Sequence, residues 1–109
     1  MNLMYRQGDV LLIRIDKPNL ERARKLPRED GRVVLAHGEV TGHAHTIHHP
    51  GAMLFDLIGE DHPILDLPEN ATLSHEEHDP IELPAGQYRI VQQREYNERE
   101  HGGWAYVED

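Results

Sequence analysis

Two short histidine motifs carry most of the chemistry this chain has to offer. The first is His43-Ala44-His45. On an extended strand, residues i and i+2 face the same way and lie roughly 6.5 Å apart, so two imidazoles can converge on one metal ion. Thr41 and Ile47 share that face. The second motif is His75-Glu76-Glu77-His78. It has the letters of a zinc-protease helix without its spacing, because HExxH places the second His at i+4, where Asp79 stands. The reversed form, HxxEH, fails at Ser74, which occupies the place of its first His. Pro80 and Pro84 argue against a helix here. As a strand end entering a turn, His75 and Glu77 face one way, and His78 swings back at Asp79-Pro80.

Neutral imidazole is the commonest nitrogen ligand for transition metals. Catalytic sites typically combine three protein ligands with an open position. His43, His45 and His75 supply such a triad, with His78 or Glu77 as fourth ligand or general base. His48, His49 and His37 stand in reserve, His49 also as a contributor from outside the ligand set. His62 and His101 are incidental. The implied cofactor is a divalent transition metal, zinc, iron, nickel or manganese. The competing reading is a His-rich, solvated acidic surface without a metal, or a proton-sensing one. Nine His gaining charge below about pH 6.5 would cancel the net charge.

Charge is distributed in a way that favours a cation. The 109 residues carry 11 Lys+Arg against 20 Asp+Glu, net −9, with no Cys. Residues 1–36 hold eight basic and five acidic groups, whereas 37–109 hold three and fifteen. Between Arg32 and Arg89 there is no Lys or Arg, yet this stretch holds eight of the nine His. Such a stretch cannot track phosphates, which makes nucleic acid an improbable partner, and it attracts cations. The missing Cys excludes disulfides, thiolate zinc sites, iron–sulfur clusters and cysteine nucleophiles.

These residues need a scaffold, and the pattern predicts an all-β one. One domain spanning 1–109 is expected at this length, with 97–109 as a polar tail. Short β-prone runs alternate with Gly, Pro, Asn and Asp. Strands are predicted over 10–15, 32–37, 43–48, 53–58, 63–67, 71–75, 81–83 and 87–96. Leu11, Ile13 and Ile15 share one face of the first. Gly8-Asp9, Asp30-Gly31 and Pro50-Gly51 are turns. Residues from Pro18-Asn19 on form a basic loop or one helical turn with Leu20, Ala23 and Leu26 on its apolar side, and only 19–26 and 97–101 have room for helix. The fold class is therefore a small antiparallel barrel or sandwich with little helix. The expected location is cytoplasmic. The start lacks a signal peptide's basic leader and cleavage site, and no run approaches the ~20 apolar residues of a spanning helix.

Gly38, His43 and His45, with His49 near the place of a Glu, resemble the first cupin motif. Pro84-Ala85-Gly86 resembles the PxG of the second, although Arg89 stands where that motif carries its metal-binding His. This resemblance implies an antiparallel barrel with metal at His43 and His45. Most of residues 6–96 resembles a family of small uncharacterised bacterial and phage-borne proteins. The pieces are Gln7-Gly8-Asp9-Val10-Leu11-Leu12, Glu39-Val40-Thr41-Gly42-His43-Ala44-His45, His75-Glu76-Glu77-His78, Leu83-Pro84-Ala85-Gly86-Gln87-Tyr88 and Gln93-Arg94-Glu95-Tyr96. That resemblance implies no activity.

The expected function is metal binding at His43, His45, His75 and His78, serving either metal-dependent recognition or a metal-dependent reaction, which would be that of a hydrolase or an oxygenase. Glu77, His49, Arg94 and Tyr96 are candidates for supporting the site. Arg94 would grip an anionic ligand bidentately if its strand face borders the histidines. The alternative is a non-catalytic acidic interaction module of a phage or mobile-element system, with a protein partner or a second copy of itself. A small molecule is the other partner class, and no membrane is expected.

Overall fold

The computed structural model describes residues 3–38 and 42–93. Ten strands are formed there and no helix. They are β1 (Met4–Gln7), β2 (Val10–Ile15), β3 (Arg24–Lys25), β4 (Val33–His37), β5 (Ala44–Ile47), β6 (Met53–Asp56), β7 (Ile64–Leu67), β8 (Ala71–Ser74), β9 (Ile81–Leu83) and β10 (Gly86–Gln92). They build two antiparallel sheets, ordered β1-β2-β10-β7-β6-β3 and β4-β5-β8-β9. Val10, Leu12, Leu65, Leu67, Tyr88 and Ile90 of the first sheet join Val33, Ile47, Leu73 and Leu83 of the second in one buried core. The all-β, antiparallel expectation holds, with the strands arranged as two sheets.

Alternation explains which residues turn inward. On β10, Tyr88 and Ile90 are buried, while the alternating Arg89 and Val91 are only partly covered. On β2, Val10 and Leu12 enter the core, and Leu11, Ile13 and Ile15 take the half-covered outer face. The apolar face read from the pattern is thus the outer one. Alternation fails on β4, where Val33 to Ala36 are all buried. Its register against β5 shifts between Val34 and Ala36. Such a β-bulge inserts one extra residue and bends the strand over the core.

Two turns are decided by local chemistry. Asp30 (φ 54°) and Gly31 (φ 76°) are both left-handed, which suits the backbone twist of a two-residue hairpin. Glu29 and Arg32 close it with reciprocal backbone bonds of 2.9 and 3.1 Å. Gly8 (φ 57°) and Asp9 link β1 to β2, with Gln7 paired to Val10.

Of the two readings of 19–26, the loop is the one that forms and the helical turn does not. Asn19 Oδ1 accepts the Glu21 N–H at 3.0 Å, and Ala23 N–H bonds to Leu20 O at 3.1 Å, making turns instead. Pro18 and Pro27 leave too few residues for a stable helix. Arg24–Lys25 pairs with β6, and Arg24 meets Asp56 at 2.8 Å. Strand β1 was not foreseen, because Met-Tyr-Arg-Gln lacks an apolar alternation. It is an edge strand held by β2. Residues 94–96 of the predicted last strand and the 97–101 segment lie outside the described residues. No helix among the described residues is long and apolar enough to cross a membrane.

Candidate metal centre

Three distant segments meet at one end of the core: the β1–β2 turn, the start of β5 and the loop after β8. His45 is the innermost member, on β5 and 1% exposed. Its ring centroid lies 4.4 Å from that of His75 and 6.0 Å from that of His78. His75 lies 4.7 Å from His78 and 5.8 Å from His43. The structure therefore brings together all four histidines of the two motifs.

Gln7, 2% exposed, sets the chemistry of His45. Its amide nitrogen donates to Leu73 O at 3.1 Å and to Asp79 O at 2.9 Å. With both amide hydrogens used, Gln7 Oε1 faces His45 Nδ1 at 2.9 Å and can only accept. His45 therefore carries a hydrogen on Nδ1, and Nε2 points at Asp9 Oδ1, 3.2 Å away. Asp9 is held in turn by Gln92 Nε2, which donates to Oδ2 at 3.0 Å, and by Gln93 N–H, which donates to Asp9 O at 2.7 Å.

The other rings are differently disposed. His43 Nδ1 is buried without a hydrogen-bond partner, 3.7 Å from Glu77 Oε1, beyond bonding reach. His75 Nδ1 accepts the Glu77 N–H at 3.0 Å. Its neutral ring thus keeps the hydrogen on Nε2, and ligation through Nε2 would move that hydrogen to Nδ1 and break this bond. His78 packs against Gly8. A Cβ there would lie 2.6 Å from His78 Nε2 and 3.2 Å from His45 Cε1, at a φ of 57° that a side chain already disfavours.

Glu76 is the acid that joins the rings. Its Oε1 accepts the Ala44 N–H at 2.9 Å. That bond holds its carboxyl below the ordinary glutamate range, so it is charged at neutral pH. Ligand atoms of His43, His75 and Glu76 all lie within 4.8 Å of one another, a grouping that could hold a metal ion. Burial pushes the imidazole of His45 below its usual range, and His75 and His78 add to this. Asp9 pulls the other way and loses. His75 is lowered too, by burial first and then by His78. Neutral imidazoles are the ligand-competent form.

Not every candidate arrives. His49 is used elsewhere, with Nε2 2.9 Å from Glu69 Oε1 and Nδ1 accepting the Gly51 N–H. With His48 it lines a separate hollow beside Asn70, Thr72 and Glu82. His37 pairs with Glu29 at 3.2 Å. Arg94 and Tyr96 lie outside the described residues. The cupin-like PxG is a structural turn here. Arg14 donates to Ala85 O at 2.8 Å, and Tyr88 OH donates to Pro84 O at 2.7 Å. Arg89, on the opposite face from Tyr88, lines a hollow of about 500 Å³ with Ile15, Arg22 and Ile58, which contains none of the histidines.

Glu76, Asp9 and Gln7 are the site residues that motif reading passed over. Glu76 stood in plain view inside the second motif. Asp9 read only as half of a Gly-Asp turn.

A family model described as "Domain of unknown function (DUF8820)" matches residues 6–93. No curated protein and no solved structure matches the chain.

Proposed function

The chain belongs to this family, and we propose that it binds a divalent transition metal ion, zinc, iron, nickel or manganese, through the histidine cluster. His43, His75 and Glu76 are the primary ligands, and His45 and His78 stand beside them. The observation that carries this reading is the convergence of ligand atoms from His43, His75 and Glu76 within 4.8 Å. The buried, unpartnered Nδ1 of His43 supports it, since such an atom is costly unless something occupies it.

Two histidines and one carboxylate suit either of two reaction classes. A bound ion supplies an acidified water for hydrolysis, with a pKa near ~7, or open positions for oxygen chemistry. Glu77, 3.7 Å from His43 and 63% exposed at its side chain, is the carboxylate available to accept a proton. Glu76 holds the start of β5 against the 75–78 loop through Ala44 N–H.

The test is metal analysis of untagged protein, followed by zinc titration against a chromophoric chelator. Near-stoichiometric metal, or tight one-site binding, is expected. Less than about a tenth of an equivalent, with no tight binding, overturns the reading.

A further inference from the structure

We propose that Asp9 is a metal ligand, binding through Oδ1 beside His45 Nε2 on the inner side of the cluster, and that Gln7 and Gln92 position this pair. The inference rests on the metal-binding reading above and extends it to a segment that neither histidine motif contains.

Three observations carry it. First, Gln7 fixes the tautomer of His45, so that Nε2 presents a lone pair when the ring is neutral. That lone pair faces a carboxylate oxygen 3.2 Å away. Two acceptors at this distance repel unless a cation joins them. Donors each bound at about 2.0–2.2 Å to one ion stand roughly 2.9–3.4 Å apart along an edge of its coordination shell. The observed separation lies in that range.

Second, both groups are braced from behind, as metal ligands characteristically are. His45 Nδ1–H donates to an amide oxygen that is itself locked by two backbone carbonyls. Asp9 Oδ2 accepts from Gln92, which leaves Oδ1 directed at His45. Third, Gly8 lets the chain pass beneath His78 where any side chain would collide with its Nε2. Gln7-Gly8-Asp9 therefore serves the cluster at each of its three positions: an orienting amide, a clearance and a carboxylate.

The alternative to an ion at this edge is a proton. His45 would then be an imidazolium paired with Asp9, a structural ion pair with no part in metal binding. The experiment separates the two. Zinc affinity is measured for the wild type, Asp9→Asn and His49→Ala, with thermal melts of the metal-free proteins as a folding control. Long-range ¹⁵N–¹H spectra of the wild type are recorded at neutral pH, without and with zinc. The expected results are a loss on the order of 100-fold or more for Asp9→Asn and none for His49→Ala. His45 should appear as the neutral Nδ1–H tautomer, and its Nε2 signal should shift on zinc addition.

Equal affinity of the wild type and a folded Asp9→Asn overturns the assignment while leaving metal binding intact. So does a doubly protonated His45 whose Nε2 ignores zinc, an outcome that needs no variant. Absence of zinc binding by the wild type overturns the metal reading itself, and this assignment with it.

Discussion

His37 and His49 each engage one surface carboxylate, Glu29 at 3.2 Å and Glu69 at 2.9 Å. His43, His45, His75 and His78 instead crowd one another, with ring centroids 4.4 to 6.0 Å apart in the contacting pairs. The residue type is the same and the surroundings differ. A lone His beside a Glu on the surface makes an ordinary polar contact, weak because water screens it. Burial, and then repulsion from neighbouring imidazoles, hold His45 and His75 below the ordinary imidazole range. Those two rings are therefore suited to a cation other than the proton. Bare abundance of histidine says nothing of this, and the partners say nearly all of it.

The contrast can be broken at several points. The largest expected effect is on metal affinity. Replacing His43 and His75 together by Ala should weaken zinc binding more than about 100-fold, or about 2.7 kcal/mol, in chelator competition. Gln7→Leu should be the costliest change to the fold near the site. It leaves Leu73 O, Asp79 O and His45 Nδ1–H without their partner. Urea unfolding should show a loss of about 2–3 kcal/mol. Gly8→Ala should cost about 1–2 kcal/mol, because it combines a positive φ with a Cβ driven into the His78 ring. Its zinc affinity should fall too, as His78 is displaced.

Acid provides a gentler test. His45 and His75 have folded-state pKa values below the ordinary 6.5. Below about pH 6.5 the unfolded chain binds protons that the folded chain refuses, so stability falls as pH falls. Melting of the metal-free protein should be insensitive to these two groups above about pH 7.5 and decline progressively below 6.5. A melting temperature that rises on acidification through this range contradicts the packing described for the inner group. The smallest effect belongs to the outer histidines. His49→Ala should change stability by less than about 1 kcal/mol and leave zinc affinity untouched. A large loss of zinc binding would erase the distinction between the two groups.

Much of this was legible in the chain. Eight of the ten strands follow from apolar runs set between turn residues, because a strand's side-chain period of two is written locally. The two missed strands are those without that signature. β1 is an edge with one buried residue, and β3 is a two-residue exposed pairing. The 19–26 segment left loop and helical turn open because Leu20, Ala23 and Leu26 have helical spacing. Two prolines and a tertiary pairing with β6 outweigh so short a periodicity. At the site, the two histidine motifs were visible as spacing. Glu76 was visible as a letter, but its bond to Ala44 N–H was not.

The amino-acid order alone determined an all-β chain, an acidic stretch free of Lys and Arg, and two histidine motifs able to bind a cation. These follow from local period and from charge, which need no partner. Only the tertiary structure decided which histidines are neighbours and which acid faces them. His45 lies 38 residues from Gln7, and Gln7 lies 72 from Asp79. No local pattern records such separations. Sheet register and the packing of two sheets on one core bring these residues together. They turn His49 toward Glu69 and His45 toward Asp9, and in doing so separate a surface hydrogen bond from a candidate ligand.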